Sequence, residues 1–260
     1  MVWDPSQTRV TVFDGGGAFI RQFPDASLAD GSPASGWKLS CNGQGFTAFT
    51  RRRMPAHPGA EGPLRLDLEV TVGRAGSMLG RVGPFPGDEF YFMDGMLAPR
   101  PLGLTTSVVL GADRMYLGVP DQPTIRVLSL EGRPMGSFPV PHPRRPLTDS
   151  MRDRFVDARA RASSNEGATR RFYARIEFPD ALPAFDGMVV DGSGNLWIRA
   201  YQATPDGPAR WSVHNPQGAP LAIALLPPRF TLFQVDSDDL IGVERGDFDV
   251  ESVVVYRLDR

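Results

Sequence analysis

The stretch "FDGMVVDGSGNLWIRAY" (residues 185–201) decides how this chain is read. Two short apolar runs flank Gly192-Ser193-Gly194-Asn195, with Asp191 before the turn and Trp197 just after it. A strand, a tight turn and a second strand explain the pattern. Glycine and asparagine tolerate left-handed backbone, and an aspartate accepts hydrogen bonds from the N–H groups that follow it. The layout recurs in "SVVLGADRMYLGV" (residues 107–119) and "TLFQVDSDDLIGVER" (residues 231–245), neither of which carries a tryptophan there. The stretch therefore reads as repeated scaffold. Asp191 is expected to serve the turn, and Trp197 to lie buried between neighbouring repeats.

A second strand–turn–strand pattern lies downstream of each of these. In "RVTVFDGGGAFI" from Arg9, "TIRVLSLEGRPM" from Thr124 and "ARWSVHNPQGAPL" from Ala209, an apolar valine stands five positions before a glycine. The pairs are Val12 and Gly17, Val127 and Gly132, Val213 and Gly218, with Ile20, Met135 and Leu221 three residues further on. "LEVTVGRAGSML" fits with a turn one residue shorter, through Val72, Gly76 and Leu79. "VESVVVYRLDR" carries Val253 and Val255 but has Arg260 in the glycine position. From Gly218 to Arg260 is 42 residues, the length of one blade of a β-propeller. The fold class is thus all-β. It is a β-propeller of four-stranded antiparallel blades in one domain over residues 1–260, with about five blades present and the first and last incomplete.

Composition agrees with many tight turns. Gly and Pro together make about a fifth of the 260 residues, against about 12% in an ordinary domain, and they are dispersed among apolar runs. A formal net charge of −2 gives no global attraction for nucleic acid or anionic membrane. The single cysteine, Cys41, allows no intramolecular disulfide and no cysteine-based metal cluster. No apolar run approaches the 18 residues of a membrane span, and no signal peptide precedes Trp3-Asp4-Pro5. Neither nucleic-acid binding nor membrane insertion is expected.

Residues 141–184 break the repeat. Leu147, Met151, Phe155, Ala158 and Ala162 fall on one stripe of a helix near 147–163, with Thr148 or Asp149 as N-cap. This is expected to be an insertion docked on one propeller face, as a lid or partner-contact element.

Candidate chemistry is sparse. His57, His142 and His214 share no ligand spacing, and His142, between Pro141 and Pro143, reads as part of an exposed connection. No serine lies in a G-x-S-x-G elbow, and there is neither a P-loop nor a dinucleotide fingerprint. "DSDDLIGVE" from Asp236 has the acidity of a calcium loop but not its glycine and glutamate positions, so it reads as a strand turn. "RRRM" from Arg51 reads as a solvated strand end rather than an anion site. No catalytic, cofactor-binding or metal residue is assigned, and the ligand-binding residues are left open.

"VWDPSQTRVTVFDGGGAFIRQF", "DGSGNLWIRA" with "WSVHNPQGAPLAIALLP", and "DDLIGVERGDFDVESVVVYRL" together resemble bacterial six-bladed β-propellers of the NHL-like and TolB-like group. The resemblance spans nearly the whole chain outside residues 141–184. It implies the fold and an extracytoplasmic location, and it supplies no catalytic residue. The expected function is non-catalytic recognition of a protein, peptide or glycan through loops on one face. The alternative is a calcium-dependent lactonase-like or other hydrolase, with its site in the central channel and calcium as cofactor. Because the first repeat opens on what aligns as a second strand and the last stops before its fourth, an N-terminally truncated propeller is expected. Its unpaired edges would favour edge-to-edge self-association.

Overall fold

The computed structural model describes residues 2–4, 9–14, 16–24, 36–53, 59–75, 77–203, 207–246 and 250–258. Among the described residues five antiparallel sheets follow one another. The first contains β1 (Val2–Asp4), β2 (Arg9–Phe13) and β3 (Phe19–Pro24). The second contains β4 (Gly36–Cys41), β5 (Phe46–Arg53), β6 (Gly62–Arg74), β7 (Ser77–Met93) and β8 (Met96–Pro99). The third is β9 (Ser107–Leu110), β10 (Arg114–Gly118), β11 (Thr124–Ser129) and β12 (Pro134–Pro139). The fourth is β13 (Phe185–Val190), β14 (Leu196–Ala200), β15 (Ala209–His214) and β16 (Pro220–Leu226). The last is β17 (Phe230–Asp236), β18 (Asp239–Arg245) and β19 (Glu251–Arg257).

Within every sheet the strands pair in chain order, and the last four sheets meet through their innermost strands. β9 lies against β4 and β5, β13 against β9, and β17 against β13. Sequential meanders radiating from a line of first strands are a β-propeller. Apolar side chains fill each gap. Ala48, Val70 and Val72 of the second sheet meet Leu110, Met115 and Leu117 of the third. Tyr116, Ile125 and Val127 of the third meet Phe185, Met188, Leu196 and Ile198 of the fourth. Trp197, Trp211 and Val213 of the fourth meet Phe230, Leu232, Val235 and Leu240 of the fifth. The first sheet packs on the second through Val10, Val12, Phe23 and Phe49.

Turn chemistry repeats as the sequence demands. Asp191 Oδ1 accepts from the N–H groups of Ser193 and Asn195, and its Oδ2 accepts from the Asn195 amide and the Trp197 indole. Asp14, Asn42 and Asn215 accept the same pair of backbone bonds at their own turns. Gly218 and Gly132 take positive φ. A Cβ on either would collide with the preceding sheet, at Phe138 or Val82. Gly76, read as the turn glycine of the second sheet, lies outside the described residues.

The second sheet departs from the four strands read for it. β6 and β7 are 13 and 17 residues long, and β8 adds a fifth strand. Its bulges, at Arg65/Asp67, Leu68/Val70 and Val72/Gly73, let a strand containing Gly83, Pro84, Pro86 and Gly87 stay in the ladder. The insertion also differs, holding two helices, α1 (Asp149–Arg161) and α2 (Glu166–Ala174). Thr148 caps α1 by accepting from the Met151 N–H, and Asn165 caps α2 by accepting from that of Ala168. Leu147, Met151 and Phe155 do pack, but Ala158 and Ala162 are exposed. The packed face continues through Val156 and Ala160 because α2 lies on that side of α1. No helix among the described residues is long and apolar enough to cross a membrane.

Candidate functional site

The insertion bridges the same ends of three consecutive sheets. At the second sheet, Arg175 pairs with Asp94 in the β7–β8 turn at 2.8 Å, the Tyr91 hydroxyl donates to the Arg175 carbonyl, and Arg100 Nε donates to the Glu177 carbonyl. At the third, Val140 N–H donates to the Pro123 carbonyl and Ala184 N–H to that of Pro120, both in the β10–β11 loop. At the fourth, Tyr201 N–H donates to the Ala184 carbonyl, and Arg145 Nη2 donates to the Tyr201 carbonyl. Phe155 and Leu182 close over Leu102, with Tyr173, Phe178 and Tyr201 around them. Burial in this cluster and the nearby Asp186 carboxylate push the Tyr201 phenol up to about 12, so it stays a neutral core residue.

Between α1, α2 and residues 176–180 lies a groove of about 950 Å³. Its floor is Leu147, Val156, Ile176, Phe178 and Tyr173. Its walls carry five carboxylates, Asp149, Asp153, Asp157, Glu177 and Asp180, and two guanidinium groups, Arg152 and Arg170. Arg170 lies 2.5 Å from Asp157. That hydrogen bond holds the Asp157 carboxyl below the usual aspartate range and raises Arg170. Arg152 reaches Asp149 at 3.3 Å and Asp153 at 3.5 Å. The walls carry more acidic than basic side chains and stand largely in solvent. An apolar floor beneath charged walls suits recognition of a polymer with apolar and cationic groups.

The residues singled out in the sequence are scattered. Trp197 is 5% exposed and lies between the fourth and fifth sheets, as expected for core. The turn from Asp236 joins β17 to β18, where Asp236 pairs with Asp239 across the hairpin. Arg51 and Arg53 approach Glu69, and Arg52 is bound to the buried Asp88 carboxylate. His57 lies outside the described residues.

His142 is not in an exposed connection. It is 5% exposed and lies against the backbone of Ile198 in β14. Burial holds its pKa below the ordinary histidine value, against the raising effect of a hydrogen bond to the Ile198 backbone.

One arrangement was not read from the sequence. His214 Nδ1 lies 3.2 Å from the Gly218 carbonyl, and its Nε2 lies 3.1 Å from Ser212 Oγ. A carbonyl only accepts, so Nδ1 carries the proton and Nε2 accepts from the serine hydroxyl. This orientation matches that of a nucleophile and its base, and the i,i+2 strand spacing was its sequence signal. Both residues are only 1% exposed, and Phe138 covers the imidazole at 5.4 Å between ring centroids. No substrate reaches the pair, which fastens the β15–β16 turn to the third sheet.

Among the described residues no three His, Cys, Asp or Glu side chains are grouped to hold a metal ion.

No family model matches the chain, and no curated protein sequence matches it. Solved structures give distant likenesses. A puromycin-hydrolyzing peptidase of Mycobacterium tuberculosis is 14% identical with a TM-score of 0.35, over 86% of this chain and 28% of the peptidase. The calcium-binding protein regucalcin of Agrobacterium tumefaciens is 15% identical with a TM-score of 0.28, over 79% of this chain and 56% of regucalcin. BamB of Moraxella catarrhalis is 13% identical with a TM-score of 0.30, over 93% of this chain and 65% of BamB. The chain thus spans between 28% and 65% of the length of these three. The propeller assignment rests on the sheet order and the packing between consecutive sheets, not on these likenesses.

Proposed function

We propose that this chain is a non-catalytic binding propeller of the bacterial six-bladed NHL-like and TolB-like kind, acting outside the cytoplasm. Its partner is a protein, peptide or glycan, bound where the helical insertion meets the blade loops. The observation that carries this reading is the groove of about 950 Å³ between α1, α2 and residues 176–180. It lies on an element outside the β-ladders yet fixed to three sheets, so recognition can vary there without cost to the blades. Asp157 is held ionised by Arg170, which suits ion pairing and not proton donation.

The test is to probe peptide and glycan arrays with labelled full-length chain and with an Asp153→Arg/Glu177→Arg variant. Both side chains are mostly exposed, at 67% and 70%, so the fold should tolerate the change. Binders of the parent should weaken about tenfold or more in the variant, the effect of losing about 1.4 kcal/mol. Binding that ignores the variant would place recognition elsewhere. Stoichiometric, chelator-removable calcium together with lactone or ester hydrolysis would overturn the reading in favour of the hydrolase.

A further inference from the structure

The outer strand of the fourth sheet carries its apolar pattern inverted. β16 pairs with β15 on one side and forms the edge of its sheet on the other. Alternation turns Ala222, Ala224 and Leu226 toward the fifth sheet, where Ala224 and Leu226 join the core beside Trp211 and Ala209. Leu221, Ile223 and Leu225 lie on the opposite face and are 55%, 48% and 67% exposed. Alanine thus fills the packed positions while larger aliphatic side chains stand in solvent. The third and fifth sheets are both in place beside the fourth, so a further blade would not cover this edge. Edge strands are ordinarily kept from pairing by charge, proline or short length. β3 carries Arg21, β12 carries Pro134 and Pro139, and β8 is four residues long. In β16 every residue from Leu221 to Leu226 is aliphatic, and no Asp, Glu, Lys or Arg occurs between positions 215 and 228.

We infer that this edge is an interface, and that its occupant is β16 of a second copy of this chain, paired antiparallel about a two-fold axis at Ile223. The sequence is its own complement, since Leu221-Ala222-Ile223-Ala224-Leu225 reads the same in both directions. Pairing about Ile223 sets Ile223 opposite Ile223, Leu221 opposite Leu225 and Ala222 opposite Ala224 of the other copy. Residues directly opposite one another share a face of the sheet, so the exposed aliphatic side chains of each copy meet their like and no like charges are brought together. This is the self-complementarity that an isologous contact requires. Two four-stranded sheets become one, and the edge N–H and C=O groups of both copies exchange water for each other. The contact is one strand wide and, for seven residues, about 24 Å long. That falls well short of the roughly 800 Å² per partner of a stable interface, so the dimer is weak and concentration-dependent.

Sedimentation equilibrium of the chain from about 1 to about 300 µM should show a monomer–dimer equilibrium. Ile223→Lys should raise the dissociation constant at least tenfold with unchanged circular dichroism and melting, because the side chain it replaces is already half exposed. Register is read by cysteines placed in a Cys41→Ser background, which removes the one native thiol. The two Ile223 Cα atoms would lie about 4.5 to 5.5 Å apart, within disulfide range, so Ile223→Cys should cross-link to itself on mild oxidation. Leu221→Cys alone should not, because its two copies stand about 14 Å apart along the ladder. An equal mixture of Leu221→Cys and Leu225→Cys chains should cross-link, a result that needs no variant to weaken the dimer. A monomer at every concentration, a dimer indifferent to Ile223→Lys, or Leu221→Cys cross-linking to itself as fast as Ile223→Cys would each overturn the proposal.

Discussion

Replacing Trp197 with alanine tests the inter-sheet core most directly. The side chain is 5% exposed and packs among Phe230, Leu232, Val235 and Leu240 of the next sheet. An aromatic so placed removes about 150 to 250 Å² from water, worth about 4 to 6 kcal/mol at 25 cal/mol/Å² as an upper bound. Its indole N–H also donates to Asp191 Oδ2 at 3.1 Å. Asp191 keeps three other donors when the indole goes, so this bond adds only about 1 kcal/mol. Partial collapse of the cavity brings the expected loss to about 3 to 5 kcal/mol. In a domain of this size that lowers the melting temperature by roughly 6 to 20 °C. Urea unfolding followed by far-ultraviolet circular dichroism measures it without relying on the tryptophan being removed. Trp197→Phe, which keeps the ring in the gap, should lose much less. A Trp197→Ala protein within about 1 kcal/mol of the parent would refute the packing argument.

Gly218→Ala should cost about 2 to 4 kcal/mol, combining left-handed strain with overpacking, because its new Cβ would lie 2.3 Å from Phe138 at φ +86°. Gly17→Ala, at φ +84° with nothing within 4 Å, should cost only about 1 kcal/mol in the same denaturation assay. Buried His142, its pKa held below the ordinary value by burial, favours the neutral form in the folded chain. The stability it contributes is complete above about pH 6.5 and is lost as the pH falls from there toward the folded value. Melting temperature should therefore decline from about pH 7.5 to about pH 5.5, and His142→Gln should flatten the slope; a parent profile that rises on acidification contradicts the sign. Replacing residues 147–179 with a short Gly/Ser linker should remove the helical signal of α1 and α2 and leave the strand signal, since these helices share no ladder bonds with the sheets. Loss of both signals together would make the insertion part of the blade core.

Much of the fold was legible because propeller blades solve one local problem repeatedly. A turn needing left-handed backbone selects Gly17, Gly132 and Gly218, all at positive φ. An aspartate or asparagine before the turn accepts the exposed N–H groups, as Asp14 and Asp191 do. Apolar alternation then fixes which face packs forward. The second sheet escaped because its strands break local rules with tertiary compensation. Pro84, Pro86, Gly83 and Gly87 read as punctuation, yet β7 runs through them. The bulged ladder with β6 absorbs the missing donor groups, and only glycine fits at Gly87, where a Cβ would lie 2.4 Å from the Leu66 carbonyl oxygen. Propensity stops a strand there, and pairing with a long partner carries it on.

The candidate site was less legible, for a different physical reason. Each groove residue obeys an ordinary local rule. Asp149 is an acidic residue in the first turn of α1, Arg170 lies on an exposed part of α2, and Phe178 lies in the chain returning to β13. Nothing in their spacing requires a cavity, since the groove exists only because the second helix folds back beside the first and the segment 176–180 returns along both. A helical period predicts one apolar stripe, whereas α1 packs on two sides, through Phe155 toward Leu102 and through Val156 toward the groove floor. A second helix was not read, although Asn165 caps it by accepting from the Ala168 N–H. Where it lies is set by Arg175 reaching Asp94 and Arg100 reaching Glu177, pairs more than seventy residues apart in sequence. Specific contacts between a repeat and its insertion carry no periodic signature, so a propeller announces its blades in its sequence and leaves its binding face to the tertiary structure.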